Sequence, residues 1–154
     1  LSYIDLLLYP QSYVKEPHIT PYTAASRQKD GIKKLRLYDA RVSAGSGDFL
    51  DSDYYTTIEV PEEDARGADF AVTVSGDSME PLFRDRDIVF VHRQETLENG
   101  EIGIFSFDNK AYIKKFNNAG FAVFLMSLNP RYLPISVDPN RDSFRIFGKV
   151  VRPR

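Results

Sequence analysis

Residues 102–116, IGIFSFDNKAYIKKF, predict two β-strands joined by a tight turn. The runs 102–107 and 111–116 are rich in β-branched and aromatic residues, which favour strands. Asp108 and Asn109 lie between these runs, and both residue types are common in the turns of β-hairpins. The stretch therefore predicts an antiparallel β-hairpin.

Further strand-rich runs lie on both sides of this hairpin. No long stretch with the 3.6-residue period of a helix occurs after residue 40. Turn residues, such as those at 117–120, separate the runs. We therefore predict a mainly β fold, a compact domain of several short antiparallel strands. The additional runs are 70–74, 87–92, 121–126 and 144–151.

The first 40 residues differ from the rest of the chain. They contain prolines at positions 10, 17 and 21, which a charged stretch at 27–36 follows. The segments 2–8 and 28–35 are compatible with short helical turns. We interpret residues 1–40 as an extended or partly helical linker arm, and residues 41–154 as the folded domain.

Composition narrows the classes of function. The 154 residues carry 20 Lys and Arg against 22 Asp and Glu, so no basic face for nucleic acid is expected. The chain has no cysteine, which excludes disulfides, thiolate metal sites and cysteine nucleophiles. No apolar run approaches the roughly 20 residues of a membrane helix, and the apolar start lacks a basic region. We therefore expect a cytoplasmic protein without a membrane segment or a signal peptide.

Neither a metal nor a cofactor is predicted. The two histidines, His18 and His92, are far apart in sequence, and no glycine-rich phosphate loop occurs. His18 lies in the arm. His92 ends a predicted strand, where we expect it to be a surface residue.

The segment 74–81, VSGDSMEP, places a serine in a sharp turn after a predicted strand. Such a serine can present its hydroxyl and nearby backbone N–H groups to one point, as a nucleophile with an oxyanion hole requires. Ser78 is therefore a candidate nucleophile. Because Ser, Gly and Asp are common turn residues, the segment by itself is more often a plain turn.

The strand 112–116, YIKKF, offers a candidate general base. Alternate side chains of a strand share a face, so Lys114 shares one with Tyr112 and Phe116. Burial among aromatic rings would lower the lysine pKa and leave a neutral amine that can activate a serine. Considered alone, the strand is more often amphipathic with two solvated lysines.

Together and in this order, these elements resemble the serine–lysine peptidase domain of LexA-type repressors, which include the lambda-type phage repressors. The resemblance covers roughly residues 40–154. Each matching piece is modest evidence alone, whereas the ordered set is specific. The pieces are the small-residue loop 42–45, the serine segment 75–81, the runs 87–91 and 99–102, the lysine strand 112–116 and the closing strand 144–151.

The resemblance implies a self-cleaving peptidase with a LexA and signal-peptidase type of fold. It assigns the nucleophile to Ser78 and the general base to Lys114. It assigns the scissile bond to Ala44–Gly45. No cofactor takes part in this chemistry.

Two further roles follow from the same resemblance. Backbone N–H groups at Asp77 and Ser78 are expected to meet the oxyanion. Val42 is the expected apolar anchor of the cleavage loop 42–47, which swings onto the serine in the active form.

Proteins of this family act as dimers on operator DNA through an N-terminal helix-turn-helix domain, and we expect no such domain within these 154 residues. RecA filaments promote their self-cleavage after DNA damage, which releases transcription. The resemblance therefore implies a homodimer with RecA as trigger and operator DNA as an indirect partner. We take strand 144–151 as a candidate dimer edge. The arm resembles the linker of a phage or prophage repressor.

Three alternatives stay open. A UmuD-like accessory protein of a DNA polymerase has the same dyad and also cuts itself. Signal peptidase I has similar serine and lysine elements but works at a membrane surface. A dimerisation module with an inactive dyad would not cleave at all.

Overall fold

The computed structural model describes residues 31–39 and 54–151, and the regular secondary structure of these residues is entirely β-strand. The strands pair into one continuous sheet. Their bounds are β1 (Ile32–Asp39), β2 (Tyr55–Pro61), β3 (Phe70–Thr73), β4 (Ile88–Arg93), β5 (Ile102–Phe107), β6 (Lys110–Asn118), β7 (Val123–Met126), β8 (Ile135–Val137) and β9 (Phe144–Val151).

The sheet has the strand order β2-β1-β3-β4-β9-β5-β6-β7-β8. Neighbouring strands are antiparallel, except that β1 and β3 are parallel. The prediction of a mainly β fold is confirmed. Its antiparallel character holds for every described pair but one.

The hairpin predicted over 102–116 is formed by β5 and β6. Phe107 pairs with Lys110, so two residues make the turn. Asp108 and Asn109 have φ angles of 51° and 65°. Positive φ at both central residues is the geometry whose twist matches that of the flanking strands, and Asp and Asn tolerate it better than most residues do.

Strand β1 corrects the interpretation of the arm. The helical turn that the sequence allowed at 28–35 does not form where the structure describes this segment, because residues 32–39 form a strand between β2 and β3. Leu35 and Tyr38 are buried at 4% and 1% exposure. Residues 32–39 of the predicted arm therefore belong to the sheet, while its residues 1–30 and 40 lie outside the described residues.

The closing strand β9 is not a sheet edge. It pairs with β4 on one side and with β5 on the other. The described sheet has β2 and β8 at its two ends. The prediction that strand 144–151 offers a free edge to a dimer partner is therefore wrong, because its backbone bonds are largely used inside the sheet.

One hydrophobic cluster connects the two segments that carry the candidate residues. Met79, the neighbour of Ser78, is 1% exposed, and Ile113, the neighbour of Lys114, is 8% exposed. Both belong to the same buried cluster, together with Phe70 of β3. Burial of these apolar neighbours draws the serine turn onto β6.

Candidate active site

The turn that carries Ser78 follows β3 and is fixed at its base by backbone hydrogen bonds. The Val74 N–H donates to the Asp87 carbonyl over 2.7 Å, and the Arg86 N–H donates to the Val74 carbonyl over 2.8 Å. Gly76 has a φ of 86°, which favours glycine, and its N–H donates to the Asp85 carboxylate over 2.7 Å. The loop is therefore closed at its base, and Ser78 is held in its outer part.

Lys114 meets this serine from β6. Its Nζ lies 2.8 Å from the Ser78 Oγ, although 36 residues separate the two in sequence. The lysine is only 6% exposed, and burial lowers its pKa from the ordinary value for lysine. Among the described residues, no carboxylate forms an ion pair with it to oppose this effect. The two predicted site residues are thus brought together, and the burial of the lysine disfavours its charged form.

Ser127 is a third member of the site that sequence reasoning missed. The Lys114 Nζ donates to its Oγ over 2.9 Å. Strand β7 pairs with β6 so that Lys115 lies opposite Met126. Extending this antiparallel register by one residue places Lys114 opposite Ser127, so the hairpin register was the signal that could have found it.

Two tyrosine rings also lie near the lysine amine. The ring centroids of Tyr112 and Tyr132 are 5.9 Å and 5.8 Å from the Lys114 Nζ. The alternation of β6 predicted Tyr112 on this face, whereas Tyr132 comes from the chain after β7. Phe116, the other predicted neighbour, stacks on Phe105 with the ring centroids 6.2 Å apart.

The backbone at Asp77 and Ser78 is held by the segment after β7. The Asn129 Nδ2 donates to the Asp77 carbonyl over 3.1 Å, and the Asn129 N–H donates to the Ser78 carbonyl over 2.9 Å. The Tyr132 hydroxyl donates to the Asp77 carboxylate, and this hydrogen bond raises the pKa of Tyr132.

A cleft of about 510 Å³ opens at the serine and the lysine. Its walls include Ser127 and Tyr132, and the exposed Leu133 lies at its side. A second cavity of about 70 Å³ also touches Ser78 and Lys114. Its walls include the apolar side chains of Val74, Met79 and Ile113.

The predicted cleavage loop lies outside the described residues. This concerns Val42, Ala44, Gly45 and the whole range 42–47. His18 is also outside them. His92 is exposed, as expected, and its Nδ1 lies 3.1 Å from the Asp69 carboxylate.

Two further features concern residues 31–39 and 54–151, the part of the chain that the structure describes. No group of three or more His, Cys, Asp or Glu side chains is arranged there to hold a metal ion. In the same residues, no helix has the length and apolar character needed to cross a membrane.

Comparison with known proteins gives a consistent answer. LexA repressor 2 of Pseudomonas syringae pv. tomato is 36% identical over 110 residues, which are 70% of this chain and 54% of that protein. The LexA repressor of Mycobacterium leprae is 36% identical over 113 residues, 72% of this chain and 46% of that protein. The LexA repressor of Providencia rettgeri is 31% identical over 116 residues, 72% and 55% of the two chains.

The chain thus spans about half the length of the curated relatives it matches. The resemblance to LexA-type proteins seen in the sequence is confirmed by these relatives. The profile of the family described as Peptidase S24-like matches residues 36–151, which are most of the chain. This protein therefore belongs to the Peptidase S24-like family.

Proposed function

We propose that this chain is the self-cleaving domain of a LexA-like repressor, which cuts its own Ala44–Gly45 bond with Ser78 as nucleophile and Lys114 as general base. One observation carries the proposal. The Lys114 amine lies 2.8 Å from the Ser78 hydroxyl, in a place where burial lowers the lysine pKa. A neutral amine at this distance can take the hydroxyl proton.

The first step uses both hydroxyl partners of the amine. Neutral Lys114 donates a hydrogen bond to the Ser127 oxygen, and its lone pair accepts the proton of the Ser78 hydroxyl, so that the amine becomes an ammonium. The Ser78 Oγ then attacks the carbonyl carbon of Ala44, and the carbonyl oxygen becomes an oxyanion. Backbone N–H groups of Asp77 and Ser78 stabilise this oxyanion, and one such donor is typically worth a factor of about 10² to 10³ in rate.

The second step breaks the peptide bond. The ammonium of Lys114 returns its proton to the nitrogen of Gly45 as the C–N bond breaks, which leaves Ala44 as an ester on Ser78. A water molecule, deprotonated by the same amine, then attacks the ester carbonyl. The products are a carboxylate on Ala44 and a free Ser78 hydroxyl.

The small cavity beside the dyad supports Ala44 as the residue before the cut. Its volume of about 70 Å³ and the apolar side chains among its walls suit a methyl side chain. Gly45, which has no side chain, offers no obstruction to the attack. Val42 would anchor the loop 42–47 against the apolar part of the larger cleft.

Such a site must also be kept from cleaving its own chain at all times. A scissile bond in the same chain is present at high effective concentration, so cleavage would be fast if the site were always assembled. A loop that is mostly disengaged, or a Lys114 that is mostly protonated, lowers the reactive population. RecA filaments formed after DNA damage are the proposed trigger that raises it.

The biological part of the proposal rests on the relatives, which are named LexA repressors. We infer that the chain acts in the cytoplasm as a homodimer and that a separate N-terminal domain binds operator DNA. Cleavage would separate the two parts and weaken operator binding, since a paired grip on a palindromic site needs both.

The test is intact-mass analysis of the purified chain at mildly alkaline pH, alone and with RecA filaments. Fragments 1–44 and 45–154 should appear in the wild type and be absent in Ser78→Ala. Ser143→Ala is a matched control at an exposed serine and should cut normally. An uncut wild type under both conditions, or fragments that persist in Ser78→Ala, would overturn the proposal.

A further inference from the structure

Asn129 is a buried polar residue directly behind the Ser78 turn. It is 9% exposed. Its Nδ2 lies 3.1 Å from the Asp77 carbonyl oxygen and its backbone N lies 2.9 Å from the Ser78 carbonyl oxygen. Two successive carbonyl groups of the turn are therefore directed at this single residue.

The direction of these carbonyls fixes the direction of the amides. In a trans peptide the C=O and the next N–H point to opposite sides, and the peptide between Asp77 and Ser78 is trans. The Ser78 N–H must therefore point away from Asn129. Asp77 and Ser78 line the larger cleft, whereas Asn129 does not, which agrees with a cleft on the opposite side of this peptide from Asn129.

The Ser78 N–H is also available for a substrate. Within residues 31–39 and 54–151, it has no hydrogen-bond acceptor. A backbone N–H without an acceptor costs free energy in a buried place unless water or a ligand satisfies it. A carbonyl oxygen that becomes an oxyanion is such a ligand.

Asn129 also accepts hydrogen bonds from the residues that follow it. Its Oδ1 accepts the N–H of Arg131 over 3.0 Å, and its carbonyl accepts the N–H of Tyr132 over 3.1 Å. The Tyr132 hydroxyl in turn donates to the carboxylate of Asp77. This closed set of contacts gives the amide of Asn129 little freedom to turn away from the Asp77 carbonyl.

We propose that Asn129 is a positioning residue, which aims the Ser78 N–H at the oxyanion formed from the Ala44 carbonyl. The proposal rests on the proposed self-cleavage and adds a residue to it. Asn129 touches no reacting atom, so its effect is on the orientation of one donor. Misplacement of a donor by about 1 Å can cost about a hundredfold in rate.

Two variants distinguish loss of the Nδ2 donor from a general disturbance of the turn. Asn129→Asp keeps the oxygen that accepts the Arg131 N–H and replaces only the Nδ2 donor. Asn129→Ala removes both and adds no charge near Lys114. Asn99→Ala is a matched control, since the Asn99 side chain also holds a turn, with Nδ2 3.2 Å from the Asn118 carbonyl and Oδ1 2.7 Å from the Asn118 N.

The experiment measures the rate constant of self-cleavage by intact mass as a function of pH, with a thermal unfolding curve for each variant. Both Asn129 variants should cut the whole population about 10- to 100-fold more slowly than the wild type. The pH midpoint of Asn129→Ala should equal that of the wild type, because the partners of Lys114 are unchanged. Asn99→Ala should cut at the wild-type rate.

Three results would overturn the inference while the proposed function stands. Wild-type rates in both Asn129 variants would do so. A pH midpoint shifted enough to explain the whole loss in Asn129→Ala would show that Asn129 acts through the lysine. In an Asn129 variant, the uncut fraction of the protein could equal its unfolded fraction while the folded remainder cuts at the wild-type rate. That result would show a purely structural role for Asn129. Absence of cleavage in the wild type would instead refute the proposed function, and this inference with it.

Discussion

Tyr38 on β1 gives a sharp test of whether residues 32–39 belong to the folded domain. Its side chain is 1% exposed, and its ring centroid lies 5.8 Å from Phe70 of β3 and 5.7 Å from Tyr55 of β2. Truncation of a large buried aromatic residue to alanine costs about 3–5 kcal/mol, since transfer free energy is lost and a cavity remains. Each ring pair adds about 0.5–1.5 kcal/mol beyond burial.

Tyr38→Ala should therefore lower the free energy of unfolding by about 4 kcal/mol. At this chain length, that loss corresponds to a fall of roughly 8 to 16 °C in the midpoint of thermal unfolding. If residues 1–40 were a linker arm throughout, the same substitution would change stability by less than about 0.5 kcal/mol, as surface changes do.

The assay is urea unfolding followed by circular dichroism, in a Ser78→Ala background so that self-cleavage cannot interfere. Tyr54→Ala is the matched control, because Tyr54 is 67% exposed, and it should leave the unfolding midpoint nearly unchanged. A loss below about 1 kcal/mol for Tyr38→Ala, at an unchanged dependence on urea, would refute the packing of β1 against β3.

Three further predictions concern the chemistry of Lys114. If its neutral amine is the base, the rate of self-cleavage should rise about tenfold per pH unit until the pH reaches the lowered pKa, and a flat profile would contradict this role. Because burial lowers that pKa, the unfolded state binds more protons than the native state between the lowered and the ordinary pKa, so stability should rise with pH in this window. Urea unfolding of Lys114→Met should lack the rise, and an equal pH dependence in both proteins would remove the lysine as its cause. Ser127→Ala should slow self-cleavage about tenfold by freeing the amine to rotate, and an unchanged rate would show that Ser127 does not position it.

The hairpin of β5 and β6 could be predicted from sequence because its information is local. Two strand-forming runs flank the residues Asp108 and Asn109, and a two-residue turn leaves the strands no alternative partner nearby. The neighbourhood of Lys114 could be predicted in part for the same reason, since alternation along one strand places Tyr112 beside it.

The strand β1 could not be predicted in this way. The segment IKKLRLYD is rich in charge, and its strand conformation depends on β2 and β3, which lie 16 or more residues further along the chain. The charge and helix propensity of such a segment do not predict a strand when the segment is considered alone. It adopts the strand conformation because pairing in the sheet buries Leu35 and Tyr38. The interior place of β9 was missed for a related reason, because position at the end of the chain does not determine position in the sheet.

Local sequence patterns were sufficient for the mainly β fold class, for the LexA-like family, and for the two residue types that the proposed chemistry needs, a serine in a turn and a lysine on a strand. The polar partners of these two residues emerge only in the folded chain: Ser127 on the lysine amine, and Asn129 behind the backbone of the serine turn. Local patterns encode strands, turns and side-chain faces. Contacts between residues far apart in sequence depend instead on strand order and register, which the burial of the whole core sets.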